Sequence, residues 1–390
     1  MNNVIAHDLQ NSRLSSVLFL IYFLLKPFYV FGSGSVQPGD CVLLAAFFFV
    51  LFEERNFRIH EKDKGIALFV LCVAAINTTY FLIYQASDFM KSILYYVFNL
   101  IAILCFRTMM YDRAWIKKLL GVGKLNLLIQ VLCFFAHIGK YWQGTYRYMG
   151  TYTDPNQLGF AVISTLAIIF LMDDKGKYLY LAVSAFLIFQ TASSGMLLAL
   201  VLLSAFDFAN SCRSIFTADF SYGKAILAVC AMLALIVLMV NNPIQIDLGG
   251  FRIESKLNRG DSVLQTFIAD RKLNVAVEHP AYFLFGYGEG FKFERYGHRG
   301  EMHSTWISLF FYYGIVPFIV LLRWIFGNIR GISRKYVPVY IAIFLEAFTL
   351  INHRQPSFWM IIMMGSLLRK EETHGNSLPA AQHCRSCISG

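Results

Sequence analysis

Apolar runs of about 17–25 residues recur along nearly the whole chain, separated by short polar segments, and that spacing leaves few folds open. A run of this length is what an α-helix needs to cross about 30 Å of hydrocarbon at about 1.5 Å per residue. Lipid offers the backbone no hydrogen-bond partners, so segments that span it must be helices or closed barrels. The period-2 alternation of a barrel strand is absent, which leaves helices. Composition agrees: 57% of the 390 residues are hydrophobic and only 15% are charged, whereas soluble domains carry about a quarter charged residues. The mean hydropathy is +0.54. The formal charge of +10 therefore records membrane orientation and does not point to a nucleic-acid partner.

The periodicity predicts an all-α, polytopic bundle of about twelve helices, over 14–31, 38–52, 65–85, 89–106, 118–139, 156–172, 178–190, 192–207, 224–241, 303–324, 337–352 and 355–369. The first run lacks a small-residue cleavage site after it and reads as a retained span. The pair 178–190 and 192–207 reads either as two helices or as one broken helix with a re-entrant turn at Thr191–Gly195.

Short loops sort by charge. Arg55, Arg58, Lys62 and Lys64 fall on one side, with Arg107, Arg113, Lys117, Lys118, Lys175, Lys177, Arg330, Arg334, Lys335, Arg369 and Lys370. Only Lys91, Lys140, Arg147 and Arg354 occupy the short loops opposite. Positive-inside places the first set and both termini in the cytoplasm. One domain over 1–370 results, with a single long outer loop at 242–302 and a polar, disordered tail at 371–390. Cys384 and Cys387 in that tail form a lone C-x-x-C, read as incidental. The other cysteines lie in or beside apolar runs as small hydrophobes.

Unusual residues collect on the outer side. Asp154-Pro155-Asn156 reads as a turn feeding a helix N-terminus, with Pro in the first turn and Asp or Asn as cap. Such an end attracts anions, and Arg147 lies just upstream, although alone this is an ordinary capped helix with an interfacial arginine. Residues 261–279 read as a loop helix whose apolar face carries Arg271 and Glu278. Arg271 there either snorkels past lipid or is aimed at an anion. Phe285–Phe291 is a glycine-rich loop followed by Arg299 and His303, and Asn352–Pro356 adds Arg354. His303, at the junction of polar loop and apolar run, is a titratable imidazole suited to proton transfer. No zinc spacing, Walker loop or nucleophile elbow is present, so the chemistry reads as free of metal and cofactor. Asp173-Asp174 reads as a solvated pair.

These segments resemble, as a set, the bacterial O-antigen polymerase (Wzy-type) and O-antigen ligase (WaaL-type) superfamily. The likeness is carried by Arg147…Gly150-Thr-Tyr-Thr-Asp154-Pro-Asn-Gln-Leu-Gly159, by Thr191-Ala-Ser-Ser-Gly195, by Arg271…Pro280…Gly286-Tyr-Gly288, and by His303…Gly314-Ile-Val-Pro317, over about residues 140–325. The family often has Ser-Arg where this chain has Ser193-Ser194, which would pass that arginine's task to Arg354.

The resemblance implies a GT-C-like, metal-independent membrane glycosyltransferase without a nucleotide-sugar donor. Its donor would be a glycan on undecaprenyl pyrophosphate, its membrane the bacterial inner membrane, and its active site periplasmic. His303, Arg147 and Arg271 are then the expected catalytic residues, with Asp154, Asn156, Glu278, Arg299 and Arg354 binding substrate. A polymerase, partnered by membrane lipids and a chain-length regulator, is favoured over a ligase acting on lipid A core. A lipid-linked oligosaccharide transporter is the third reading. Against it stand the scarcity of charge within the spans, Glu346 being the main exception, and the absence of a repeat relating the two halves.

Overall fold

The computed structural model describes residues 13–32, 34–54, 57–143, 145–215, 268–269, 271–290 and 301–369. The chain is mostly helical, with helices α1 (Leu14–Leu25), α2 (Pro38–Glu53), α3 (Lys64–Tyr84), α4 (Ser87–Met109), α5 (Arg113–Phe135), α6 (Pro155–Leu171), α7 (Lys177–Thr191) and α8 (Ser194–Ile215). Short helices α9 (Leu273–Glu278) and α10 (Tyr282–Phe285) precede α11 (Thr305–Tyr313), α12 (Ile315–Ile329), α13 (Val337–Glu346) and α14 (Pro356–Met364). A two-stranded antiparallel ribbon pairs β1 (Lys140–Tyr141) with β2 (Tyr148–Gly150), the one departure from an all-helical chain among the described residues.

Three of these helical stretches, Glu61–Tyr84, Ser87–Met109 and Arg113–Phe135, are long and apolar enough to cross a membrane, and several shorter apolar helices accompany them among the described residues. Their outward faces carry large apolar side chains, such as Leu71, Leu94, Leu132 and Phe326, each more than 60% exposed. A water-facing surface would not sustain so many, so the bundle is compatible with a lipid environment. The expected span at 224–241, most of the 242–302 loop and the 371–390 tail lie outside the described residues.

Two helices form the centre. In α14 every side chain from Phe358 to Met364 is buried, and α6 is buried along almost its whole length. A helix apolar on all sides belongs in the middle of a bundle.

Several boundaries differ from expectation, each for a local reason. The first helix ends at Leu25: Lys26 is still helical and donates to the Tyr22 carbonyl, but Pro27 has no amide with which to continue the ladder. The fifth begins at Arg113, where Asp112 caps it by accepting from the amides of Ala114 and Trp115. The helices expected to reach 352 and 369 stop at Glu346 and Met364, the latter passing into a 3₁₀ turn. The pair after Asp173-Asp174 is two helices, parted at Ala192 in the left-handed region.

The apolar run 303–324 is not one helix. Gly314, at φ +76°, divides it into α11 and α12. The loop helix expected over 261–279 is interrupted at Lys272, which is left-handed, so only α9 remains of its second half.

Arg107, grouped above with loop cations, is instead in the last turn of α4 and is 5% exposed. Its Nε and Nη2 grip the two oxygens of Asp63 at 2.7 and 2.8 Å. Asn328 Oδ1, Ser366 Oγ and the Trp324 indole complete that cluster.

Candidate active site

Four helices begin around one cavity of about 810 Å³, and the side of α4 closes it. It is lined by Gln37 and Asp40 at the start of α2, Lys91 and Tyr95 in α4, and Asp154, Asn156 and Gln157 at the start of α6. Glu301 and His303 line it just before α11, and Asn352, Arg354 and Gln355 just before α14. Each helix N-terminus carries the positive end of the helix dipole, about half a charge, so their shared opening favours an anion, although caps and neighbouring carbonyls already accept from first-turn amides of α6 and α11.

The local sequence explains each placement. Asp154 caps α6, its carboxylate accepting from the Asn156 amide at 2.7 Å, and Pro155 occupies the first helical position where no amide is needed. Ser304 caps α11. Upstream of it the chain is extended, so side chains alternate. Met302 is buried in the core, while Glu301 and the exposed His303 face the cavity together.

Asp154, Asn156, His303 and Arg354 are therefore brought to one chamber. Arg147 meets its wall from β2's edge: Nη2 donates to Asn156 Oδ1 at 3.1 Å and Nε to the Thr191 carbonyl at 3.0 Å. The Thr191–Gly195 turn is thereby tied to the Asp-Pro-Asn turn. It also packs on the segment leading to Arg354, because a Cβ at Gly195 would overlap the Thr349 side chain.

Arg271 donates through Nε to the Phe348 carbonyl at 3.1 Å, beside that same segment, without lining the cavity. Glu278 does not share a helix face with Arg271, because Lys272 breaks the helix; it is exposed and lines no part of the cavity. Arg299 lies outside the described residues.

Sequence reasoning put Glu289 in the glycine-rich loop and His353 on the outer face beside Arg354, but gave neither a role. Glu289 is 4% exposed beneath Arg354. Its Oε1 accepts from Arg354 Nε at 2.8 Å and Nη2 at 2.6 Å, and its Oε2 from the Tyr313 hydroxyl at 2.6 Å. Its amide donates to Asn77 Oδ1 at 2.9 Å and its carbonyl accepts from the Ser92 hydroxyl. Burial alone would raise its pKa. The Arg354 guanidinium, with smaller help from His353 and Tyr313, overrides burial and holds the carboxyl well below the usual range.

His353 is fully buried, stacked on Tyr96 at 5.7 Å, with Nε2 3.6 Å from Glu289 Oε1. That distance is too long for a hydrogen bond, and both ring nitrogens lack a partner. Gly-Glu-Gly reads in sequence as a solvated loop; only the glycines hinted at close packing.

A backbone clasp holds that loop. The amides of Tyr287 and Gly288 donate to the carbonyls of Phe311 and Tyr312 at 3.0 and 2.9 Å. Gly286 and Gly314 both have positive φ, and a Cβ on either would come within 2.6 or 2.5 Å of a carbonyl oxygen opposite. Tyr80 adds a hydrogen bond to the Gly286 carbonyl at 2.9 Å. The loop bearing Glu289 and the helix led by His303 are thus one assembly.

Arg354 completes the rim. Its Nη1 donates to Glu301 Oε2 at 3.0 Å, and its guanidinium carbon lies 5.7 Å from the centre of the Tyr95 ring. The arrangement combines fixed cations, helix N-termini and one exposed imidazole, which together can hold an oxyanion beside a proton acceptor. Compared with models of known protein families and with curated proteins, the chain matches none.

Proposed function

We propose that the chain is a membrane glycosyltransferase of the O-antigen polymerase kind, joining oligosaccharide repeats carried on a polyprenyl diphosphate. One observation supports this above the others: His303, Arg354 and the N-terminal ends of α2, α6, α11 and α14 open into one cavity, with Arg147 bonded to its wall. In this reading the chain has a GT-C-like bundle of about twelve spans in a bacterial inner membrane. The cavity faces the periplasm and both termini face the cytoplasm.

The acceptor hydroxyl loses its proton to a ring nitrogen of His303. Its oxygen forms a bond to the anomeric carbon of the donor sugar as the bond from that carbon to the diphosphate oxygen breaks. The departing polyprenyl diphosphate gathers negative charge, which Arg147 and Arg271 offset as they approach it. Arginine suits the role because its fork matches phosphate oxygens and never titrates. Arg271 has to lean from Phe348 toward the chamber to take part. Asp154 and Asn156 hold the anion-facing turn in shape.

One feature favours group transfer over transport: the ionic residues of the cavity cluster at one end of the helices, not along their length. Replacing His303 with Ala is expected to lower turnover by about 10²- to 10⁴-fold, leaving a complemented null strain with single repeats at unchanged protein level. Full-length glycan in normal amount from that variant rejects the assignment. Loss of all glycan on the core, single repeats included, in the null strain reassigns the chain as a ligase.

A further inference from the structure

Arg354 carries two carboxylates of opposite character. Glu289 is 4% exposed and takes the Nε–Nη2 edge of the guanidinium, and it is held in turn by Tyr313, Asn77 and Ser92. Glu301 is 43% exposed at the cavity rim and makes one hydrogen bond, to Nη1, among the described residues. One cation faced by two carboxylates leaves the cluster with a local charge of −1 while four helix N-termini open beside it. An anion cannot enter such a cluster unless one carboxylate leaves. Burial decides which: Glu289 would strand an unpaired charge in the interior, whereas an exposed pair such as Arg354–Glu301 is weak.

We propose that Glu301 is an exchangeable counter-ion seated where a diphosphate binds, and that the diphosphate docks on the terminal nitrogens of Arg354 by displacing it. Glu289 fixes the side edge of the guanidinium. The outer Nη1–Nη2 fork, which pairs with two phosphate oxygens, is then open to the cavity once Glu301 swings out. Gln355 follows Arg354 directly and starts α14, so the same ligand meets a helix N-terminus. In the empty protein Glu301 keeps the seat charged and ordered, and it selects against monoanions too weak to dislodge it. This inference deepens the proposed reaction, on which it rests for the ligand's identity, by giving the leaving group a third arginine.

Calorimetric titration of the purified full-length protein with inorganic diphosphate tests it. Glu301→Gln is expected to tighten binding about two- to five-fold, the range an exposed ion pair spans. Arg354→Lys, which keeps the charge and loses the fork, is expected to weaken binding more than about ten-fold. Asp88→Asn is the control: Asp88 is an exposed acid paired with the cavity residue Lys91 at 2.7 Å, and it should change affinity less than about two-fold.

Equal or weaker binding by Glu301→Gln overturns the proposal. So does unchanged binding by Arg354→Lys, a gain in Asp88→Asn matching that of Glu301→Gln, or no binding by the wild type and Glu301→Gln alike. Farnesyl diphosphate in a parallel titration separates the two sources of ligand. Preference for it assigns the seat to a lipid head and equal affinity to free diphosphate, and both support displacement if the Glu301→Gln gain persists. Because the readout is binding, its failure leaves the polymerase reading on Arg147, Arg271 and His303, and a protein without polymerase activity can still pass it.

Discussion

Arg107, buried, and Arg354, partly buried, both sit on carboxylates, set about 18 Å apart along α4, counting twelve residues from Arg107 to the Tyr95 ring beneath Arg354, and they solve the same problem differently. Arg107 is engaged at every nitrogen: Asp63 takes Nε and Nη2, Asn328 accepts from Nη2 as well, and Ser366 accepts from Nη1. Arg354 is closed on one edge only, with the other turned to a cavity and covered by an exposed acid. A satisfied buried pair chiefly fixes geometry. A half-satisfied one is where a ligand can compete. The difference separates an end of the bundle that holds helices together from an end that can bind.

The sharpest break in that contrast comes from Asp63→Ala, which leaves Arg107 charged and unpaired. It is expected to cost about 3–5 kcal/mol of stability, read as a large fall in melting temperature in detergent. Survival with little change makes the closed end no more structural than the open one.

Glu289→Gln follows, at about 1–3 kcal/mol for a buried charge-assisted network that loses its charge. Its signature is in acid. The Glu289 carboxyl is held below its ordinary value of 4.5, so its contribution is complete above about pH 4.5 and is lost as pH falls through the depressed folded value. Below pH 4.5 the wild type should therefore lose stability more steeply than the variant. Parallel curves mean that the charge plays no part.

Asp154→Ala removes the α6 cap and should lower stability by about 1 kcal/mol, also read by melting. Least of all, Glu301→Gln should shift stability by less than about 1 kcal/mol, as an exposed pair does; a loss as large as that of Glu289→Gln would erase the distinction between the two acids.

Much of the helical framework was legible in sequence, because apolar runs and polar gaps are local. Asp154 announced its cap, since Asp-Pro-Asn carries both the acceptor and the proline that a first turn wants. Gly314 did not announce its break: residues on both sides are apolar, and the close approach of the residue 284 carbonyl, which leaves no room for a Cβ, is a long-range contact. The interruption at Lys272 was likewise hidden in a periodic stretch.

Side-of-membrane reasoning gathers Arg147, Arg271, His303 and Arg354; of these, His303 and Arg354 line the cavity, Arg147 bonds to its wall, and Arg271 lies outside its lining. It gave Glu289 no role, because the Asn77 that holds its amide lies 212 residues away. Arg107 was misread for the same reason: a cation at the end of an apolar run looks solvated until Asp63 and Asn328 are brought to it.

The Gly286–Gly314 clasp has a consequence for how such a chain diversifies. Its hydrogen bonds run from main chain to main chain, so no ordinary exchange of side chains along residues 287–289 or 311–313 removes them. Adding a single methyl group at either glycine would press the loop and the end of α11 apart. Variation in the molecules accepted can therefore accumulate around the mouth of the chamber while the acid and the imidazole behind it keep their spacing, much as a lock's wards are recut around an unchanged bolt.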